Sequence, residues 1–252
     1  MSILLNEKTP VMIQGITGKE AAIHVAYMQQ YGTNIVCGVS PGRGGSVISG
    51  VPVYNTVEEA VAHHQVSWSV LFLGAKNVKS AAIDAISAGV PGIFILEDGV
   101  PFHDTAEILA LARVGNVRVI GPSSQGMISP GKAKLGASGG ATPERVFSQG
   151  KVGVISRSGG MGVEICLLLS RNGIGQSSYV AIGGDLMVGT GFADLFADFE
   201  QDPDTDAIVI FGEPGTEHSL WSCTTTGTQL GLAWTNHALG TWSDYSDIAN
   251  SG

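Results

Sequence analysis

Residues suited to handling phosphate cluster in a few glycine- and hydroxyl-rich turns. The first turn reads Gly15-Ile-Thr-Gly18-Lys-Glu-Ala21. Glycine lets a backbone turn tightly and approach an anion, and the start of a following helix offers free N–H groups to it. Ala21 fills the slot that serves close helix–strand packing. The second turn, Ser40-Pro41-Gly42-Arg43-Gly44-Gly45, lacks the acid that a nicotinamide enzyme places there to hold ribose hydroxyls. It presents Arg43 instead, which suits a phosphate such as the 3′-phosphate of coenzyme A or the 2′-phosphate of NADP. The third, Ser156-Arg157-Ser158-Gly159-Gly160-Met161-Gly162, combines hydroxyls, exposed N–H groups and a helix dipole into an anion site. Plain N-capping by Ser158 is the bland alternative, as an ordinary glycine turn is for the first and a solvated arginine for the second.

Two further turns, Leu96-Glu97-Asp98-Gly99-Val100-Pro101 and Gly121-Pro122-Ser123-Ser124-Gln125-Gly126, follow expected strands and so fall on the ligand edge of an open parallel sheet. Glu213 follows another strand on the same edge as the Ser156 turn, where a carboxylate usually orients a histidine or a metal, a solvated loop acid being the bland alternative. The histidines, His24, His63, His64, His103, His218 and His237, show no metal-ligand spacing, and no metal site is expected. A nucleophile elbow, a P-loop and a Cys–His pair are all missing from the sequence.

The elements that must position these turns alternate between strand-like and helix-like runs, the pattern of βαβ units and a parallel sheet. Strands are expected at residues 11–14, 34–39, 51–54, 68–73, 92–96 and 117–120. Helices are expected at 18–31, after a Thr56 cap, at 80–88 and at 105–114. These make a Rossmann-like domain over residues 1–125. A Gly/Ser/Pro-rich stretch, 126–150, reads as a linker. A second, incomplete α/β unit spans 151–215, with strands at 152–156, 178–182 and 207–211 and helices at 161–172 and 192–200. Residues 216–252 form an atypical tail in which no helical or strand period is visible. Three strands alone would leave an apolar sheet edge for the tail or a partner chain to cover.

Charge is unevenly spread. Residues 1–171 hold all 13 basic side chains against 11 acidic ones, whereas residues 172–252 hold none against 11. Anionic ligands therefore find cationic partners only in the first two thirds. The overall charge of −9 argues against nucleic acid as a partner. No signal-peptide pattern opens the chain, and no run reaches the ~20 apolar residues of a membrane span. Cys37, Cys166 and Cys223 are too scattered for a disulfide framework. A location in the cytoplasm or the mitochondrial matrix is expected.

Taken in order, MSILLNEKTPVMIQGITGKEAAIH, GVSPGRGGS, GVPVYNTVEEAV, VIGPSSQGMISPGK, KVGVISRSGG, AIGGD and IFGEPG resemble the α subunit of succinyl-CoA synthetase and related NDP-forming acid–CoA ligases over residues 1–215. The resemblance implies an α/β fold with a Rossmann-like CoA-binding domain followed by a flavodoxin-like ligase domain. It implies CoA contacts at Thr17, Gly18, Lys19, Glu20, Arg43, Leu96, Glu97, Asp98 and Ser124. It also implies a phosphate cradle at Ser156, Ser158, Gly159 and Gly160, with Glu213 orienting a phosphorylated histidine. The implied activity makes an acyl-CoA from a carboxylic acid and CoA with nucleotide cleavage. Nucleotide and Mg2+ would sit on an ATP-grasp β subunit in a hetero-oligomer. The sequence departs from the family pattern in places. The Gly-His-Ala-Gly context of the phosphohistidine is missing, with His237-Ala238-Leu239-Gly240 a faint echo of it. Ser123-Ser124 replaces an Asn-Cys pair, Gly160 replaces a threonine, and Val163 replaces a tyrosine. A CoA-binding protein without ligase activity is the alternative.

Overall fold

A computed structural model describes residues 2–212 and two short strands in the tail. The first sheet contains β1 (Val11–Gln14), β2 (Ile35–Val39), β3 (Val47–Ile48), β4 (Val51–Tyr54), β5 (Trp68–Leu71), β6 (Gly92–Ile95) and β7 (Arg118–Ile120). Its order is β3-β4-β2-β1-β5-β6-β7, parallel except for the β3–β4 pair. Helices α1 (Lys19–Tyr31), α2 (Val57–His63), α3 (Ala75–Ser87) and α4 (Phe102–Val114) connect the strands. Every residue of β1, β5 and β6 is buried, as expected for parallel strands covered on both faces. Thr56 caps α2 by accepting the Glu59 N–H at 3.1 Å, as its hydroxyl and position led us to expect.

The second sheet contains β8 (Gly126–Ser129), β9 (Ala133–Gly136), β10 (Gln149–Ser156), β11 (Gln176–Ala181) and β12 (Ala207–Phe211), with α5 (Gly159–Arg171) and α6 (Phe192–Glu200). Its order is β12-β10-β11-β8-β9. β8 and β9 correct the linker reading of residues 126–150. They form an antiparallel hairpin whose first strand pairs with β11, and all eight of its strand residues are buried. Each strand is only four residues long and ends at or near a glycine, so composition reads as a loop while tertiary pairing makes a sheet. The hairpin also covers the edge of β11 that a three-stranded unit would have left open. In the tail, β13 (Trp234–Asn236) pairs antiparallel with β14 (Thr241–Ser243), a short hairpin with no readable period.

Three helices begin earlier than expected, α5 by two residues at Gly159. α3 starts at Ala75, its largely polar first turn, Ala75 to Lys79, showing no apolar period in the sequence, and α4 starts at Phe102 directly after Pro101. One hydrophobic cluster runs through both sheets, from Ile13 and Phe94 through Met127 and Leu135 to Ile155 and Val180. Cys37 and Cys166 are buried free thiols, and burial pushes the Cys37 thiol up to about 12. Among the described residues no helix is long and apolar enough to cross a membrane.

Candidate functional site

The strand-end turns of both sheets meet along one seam. Backbone N–H groups of Gly121 and Gly184 donate to Ile182 O (3.2 Å) and Ser123 O (3.1 Å), and Gly189 N–H returns to Gly121 O at 3.0 Å. Ser123 N–H donates to Glu97 O at 2.9 Å, which draws the turn after β6 into the same edge. Thr190 adds a hydroxyl bond to Val119 O at 2.7 Å, and Arg118 forms an ion pair with Asp198. Glycine is required at Gly183, where a Cβ would stand 2.1 Å from Pro122 O and φ is +114°. The carboxyl ends of β6 and β7 in the first sheet and of β11 in the second thus face a common region.

On the first-domain side, Gly15 turns with φ +78°, and a Cβ there would lie 2.3 Å from Phe72 O. Gly18 caps α1 in extended backbone without a side-chain bond, so the first N–H groups of the helix have no side-chain acceptor. Thr17, Gly18, Lys19 and Glu20 are all exposed. The Thr17 hydroxyl lies 2.9 Å from that of Ser40, tying the first turn to the second. The loop bearing Arg43 is organised by Asn55, whose Oδ1 accepts the N–H groups of Gly42 and Gly44 at 3.0 Å each. Asn55 is fixed in turn by its own N–H, which donates to Glu59 Oε2 at 2.9 Å. Arg43 is exposed, and its guanidinium makes no ion pair among the described residues. Unused helix N–H groups and an unpaired guanidinium on one edge are the donors a phosphate-bearing nucleotide needs.

The other expected contacts fall less evenly. Leu96 is half-buried and Asp98 is exposed. Glu97 accepts the Ala75 N–H at 3.1 Å, so its carboxylate serves as the missing side-chain cap of α3. Ser124 is buried, and its hydroxyl donates to Ala181 O across the seam. Nothing in the sequence separates these roles from ligand contacts, because each depends on which way one side chain turns.

On the second-domain side, Ser158 caps α5 by accepting the Met161 N–H at 3.5 Å. Ser156 is buried, and its hydroxyl donates to Ser158 O. The two hydroxyls expected to meet an anion thus also shape the turn. The N–H groups of Gly159 and Gly160 begin the helix, and Gly160 faces open space. Arg157 is buried and reaches Asp185 O at 2.6 Å. The Asp185 carboxyl is raised above its ordinary range by burial and by the neighbouring Asp98, with Arg157 opposing. Gln125 lies over Gly159, where a Cβ would stand 2.5 Å from its own Cβ, and its Oε1 is buried with no hydrogen-bond partner. Sequence reading missed Asn55 and Asp185 as parts of this edge, and it placed the turn containing Gln125 there without a role for that side chain. Glu213, His218 and His237 lie outside the described residues. No group of three or more metal-ligating side chains occurs among the described residues.

Known proteins share both halves of this arrangement. A CoA binding domain model matches residues 6–99, and a succinyl-CoA ligase like flavodoxin domain model matches residues 149–217. The succinate–CoA ligase [ADP-forming] subunit alpha 2 of Archaeoglobus fulgidus is 41% identical over 215 residues, covering 85% of this chain and 74% of that one. The malate–CoA ligase subunit alpha of Methylorubrum extorquens is 42% identical over 229 residues, covering 88% and 76%. Among solved structures, ATP citrate lyase from Methanothrix soehngenii, in complex with citrate and coenzyme A, superposes with a TM-score of 0.73 at 25% identity. That match covers 83% of this chain and 36% of the lyase.

Proposed function

This chain belongs to the family of α subunits of ADP-forming acid–CoA ligases, and on that premise we propose that it binds CoA on the edge formed by Gly15–Gly18 and Arg43 and joins it to a carboxylic acid. The observation that carries the proposal is the Thr17–Ser40 contact, which sets the open N-terminus of α1 and the Arg43 loop together on one edge of the first sheet. The donor set fits CoA. The start of α1 receives one phosphate, and Arg43, held out by the Asn55-organised loop, receives the 3′-phosphate.

A carboxylate is a poor acyl donor, because its leaving group would be an oxide. Phosphorylation of one carboxylate oxygen converts that oxygen into part of a good leaving group. The CoA thiol then attacks the carbonyl carbon, the carbon–oxygen bond to phosphate breaks, and inorganic phosphate departs. The chain's part is to hold the thiol-bearing arm and the phosphoryl group at one edge and to stabilise the anion with the N–H groups of Gly159 and Gly160. Glu213 is assigned to orient a phosphorylated histidine. An ATP-grasp β subunit supplies nucleotide and Mg2+.

A second reading, CoA binding without ligation, is favoured by one observation: no Gly-His-Ala-Gly occurs in these 252 residues. Incubating the chain and its β partner with γ-labelled nucleotide separates the two. An acid-labile phosphoenzyme on the α chain, discharged by acid and CoA, supports ligation. CoA binding without any such label leaves binding alone.

A further inference from the structure

Tyr179 lies beneath the proposed phosphate cradle, and the chemistry above makes no use of it. It belongs to β11, is 0% exposed, and packs against Phe147 with ring centroids 5.4 Å apart. A buried phenol must find a hydrogen-bond partner. This one donates to Gly159 O at 3.2 Å, the carbonyl of the first residue of α5. Burial pushes the phenol well above its ordinary value, so the O–H remains a donor at any working pH. Gly162, one turn along the helix, is shaped to the same contact. A Cβ there would stand 2.6 Å from the phenol oxygen and 2.7 Å from Ser156 Cβ. On the other side, Gln125 presses against Gly159, and its buried Oε1 lacks a donor. The peptide that opens α5 is therefore held between a side chain of the seam and a phenol from the sheet below.

We propose that Tyr179 is a positioning residue: by fixing the Gly159 carbonyl it sets the tilt of the first turn of α5, and so the aim of the Gly159 and Gly160 N–H groups at the bound phosphate. This rests on the cradle assigned under the proposed function. The phenol does not touch the ligand. It acts through the helix, whose opening N–H groups have no intrahelical partners and point wherever that turn points. An unfixed turn would still bind an anion, but with its N–H groups spread over several directions.

The test uses the full chain with inorganic phosphate as the probe. Binding is followed by the amide shifts of Gly159 and Gly160, while CoA is titrated separately. Tyr179→Phe keeps the ring and removes only the donor. It is expected to weaken phosphate about three- to tenfold, the span of one net hydrogen bond, and to shrink the phosphate-induced shifts of both glycine amides. CoA affinity should stay within about twofold. Gly162→Ala, whose Cβ would press on the phenol oxygen and the ring edge at 2.6 and 2.7 Å and so push the helix off the tyrosine, is expected to act in the same direction. A purely structural phenol would lower the melting temperature and leave phosphate affinity and the glycine shifts unchanged, and that result overturns the proposal. If the wild-type chain binds no phosphate at these amides, the cradle itself falls and the positioning role falls with it. Wild-type binding with an indifferent Tyr179→Phe variant refutes the positioning role alone.

Discussion

Replacing Gly15 by alanine should harm both the fold and CoA binding, and the size of the effect follows from two geometric features. The residue has φ +78°, where a non-glycine residue costs about 1 kcal/mol. Its Cβ would also stand 2.3 Å from Phe72 O and 2.8 Å from Leu73 Cδ2. The leucine can swing aside. The carbonyl cannot, because it continues β5, and the Phe72 N–H is bonded to Gln14 O at 3.0 Å. Relief must come from lifting the turn, which strains the bonds from Gly15 N–H to Val39 O and from Gly18 N–H to Gly15 O, each 2.9 Å. Overpacking of this kind costs about 1–3 kcal/mol, so the total loss should be about 2–4 kcal/mol. The displaced turn carries the start of α1, so CoA affinity should fall at least about tenfold. Urea unfolding and calorimetric CoA titration measure the two effects. Gly89→Ala is the control: φ is +73° but nothing lies within 4 Å, so only the dihedral cost of about 1 kcal/mol should appear, with CoA unaffected. Should Gly15→Ala match that control in both assays, the turn is not built for close approach.

Three further outcomes follow from the same geometry. Arg43→Ala should weaken CoA by about 10-fold or more while leaving dephospho-CoA unchanged, measured by competitive titration, and equal losses for both ligands would remove the 3′-phosphate contact. Ser124→Ala should cost about 1 kcal/mol of stability in urea unfolding yet leave CoA affinity unchanged, since its hydroxyl donates to Ala181 O, and a CoA defect would return Ser124 to the ligand. Lys134 is fully buried on β9, where it donates to Gly140 O at 2.8 Å, with Glu144 attracting it and His24 on α1 nearby. Burial lowers its pKa from 10.5 to about 8, so the unfolded chain binds more protons between those values and stability should rise with pH across that window. Lys134→Met should flatten that rise and gain about 1–3 kcal/mol at pH 7, and a rise that persists in the variant would assign it to another group.

Much of the fold was legible because the strand periods, the glycine turns and the Thr56 cap are local signals. The hairpin of β8 and β9 was not, because its strands are short and its stability comes from pairing with β11 rather than from composition. The site divides along the same line. Glycine and arginine positions could be read because the backbone demand at Gly15 and the lack of an acid near Arg43 are properties of sequence. The roles of Glu97 and Ser124 could not, because a cap on α3 and a bond to Ala181 depend on side-chain direction across elements far apart in the chain. Asn55 escaped notice for the same reason: its organising bonds reach back across β3 and β4 to Gly42 and Gly44. Tyr179 reads as core aromatic from sequence, and only the meeting of its phenol with Gly159 gives it another meaning.

The most direct measurement is a titration of the full chain with CoA, followed residue by residue through backbone amide shifts. Saturable binding with the largest changes at Thr17 to Glu20, in the Gly42–Gly45 loop and along Leu96 to Asp98 is the expected result. Binding that leaves those amides unmoved, or no binding at all, would contradict the assignment of this edge to CoA.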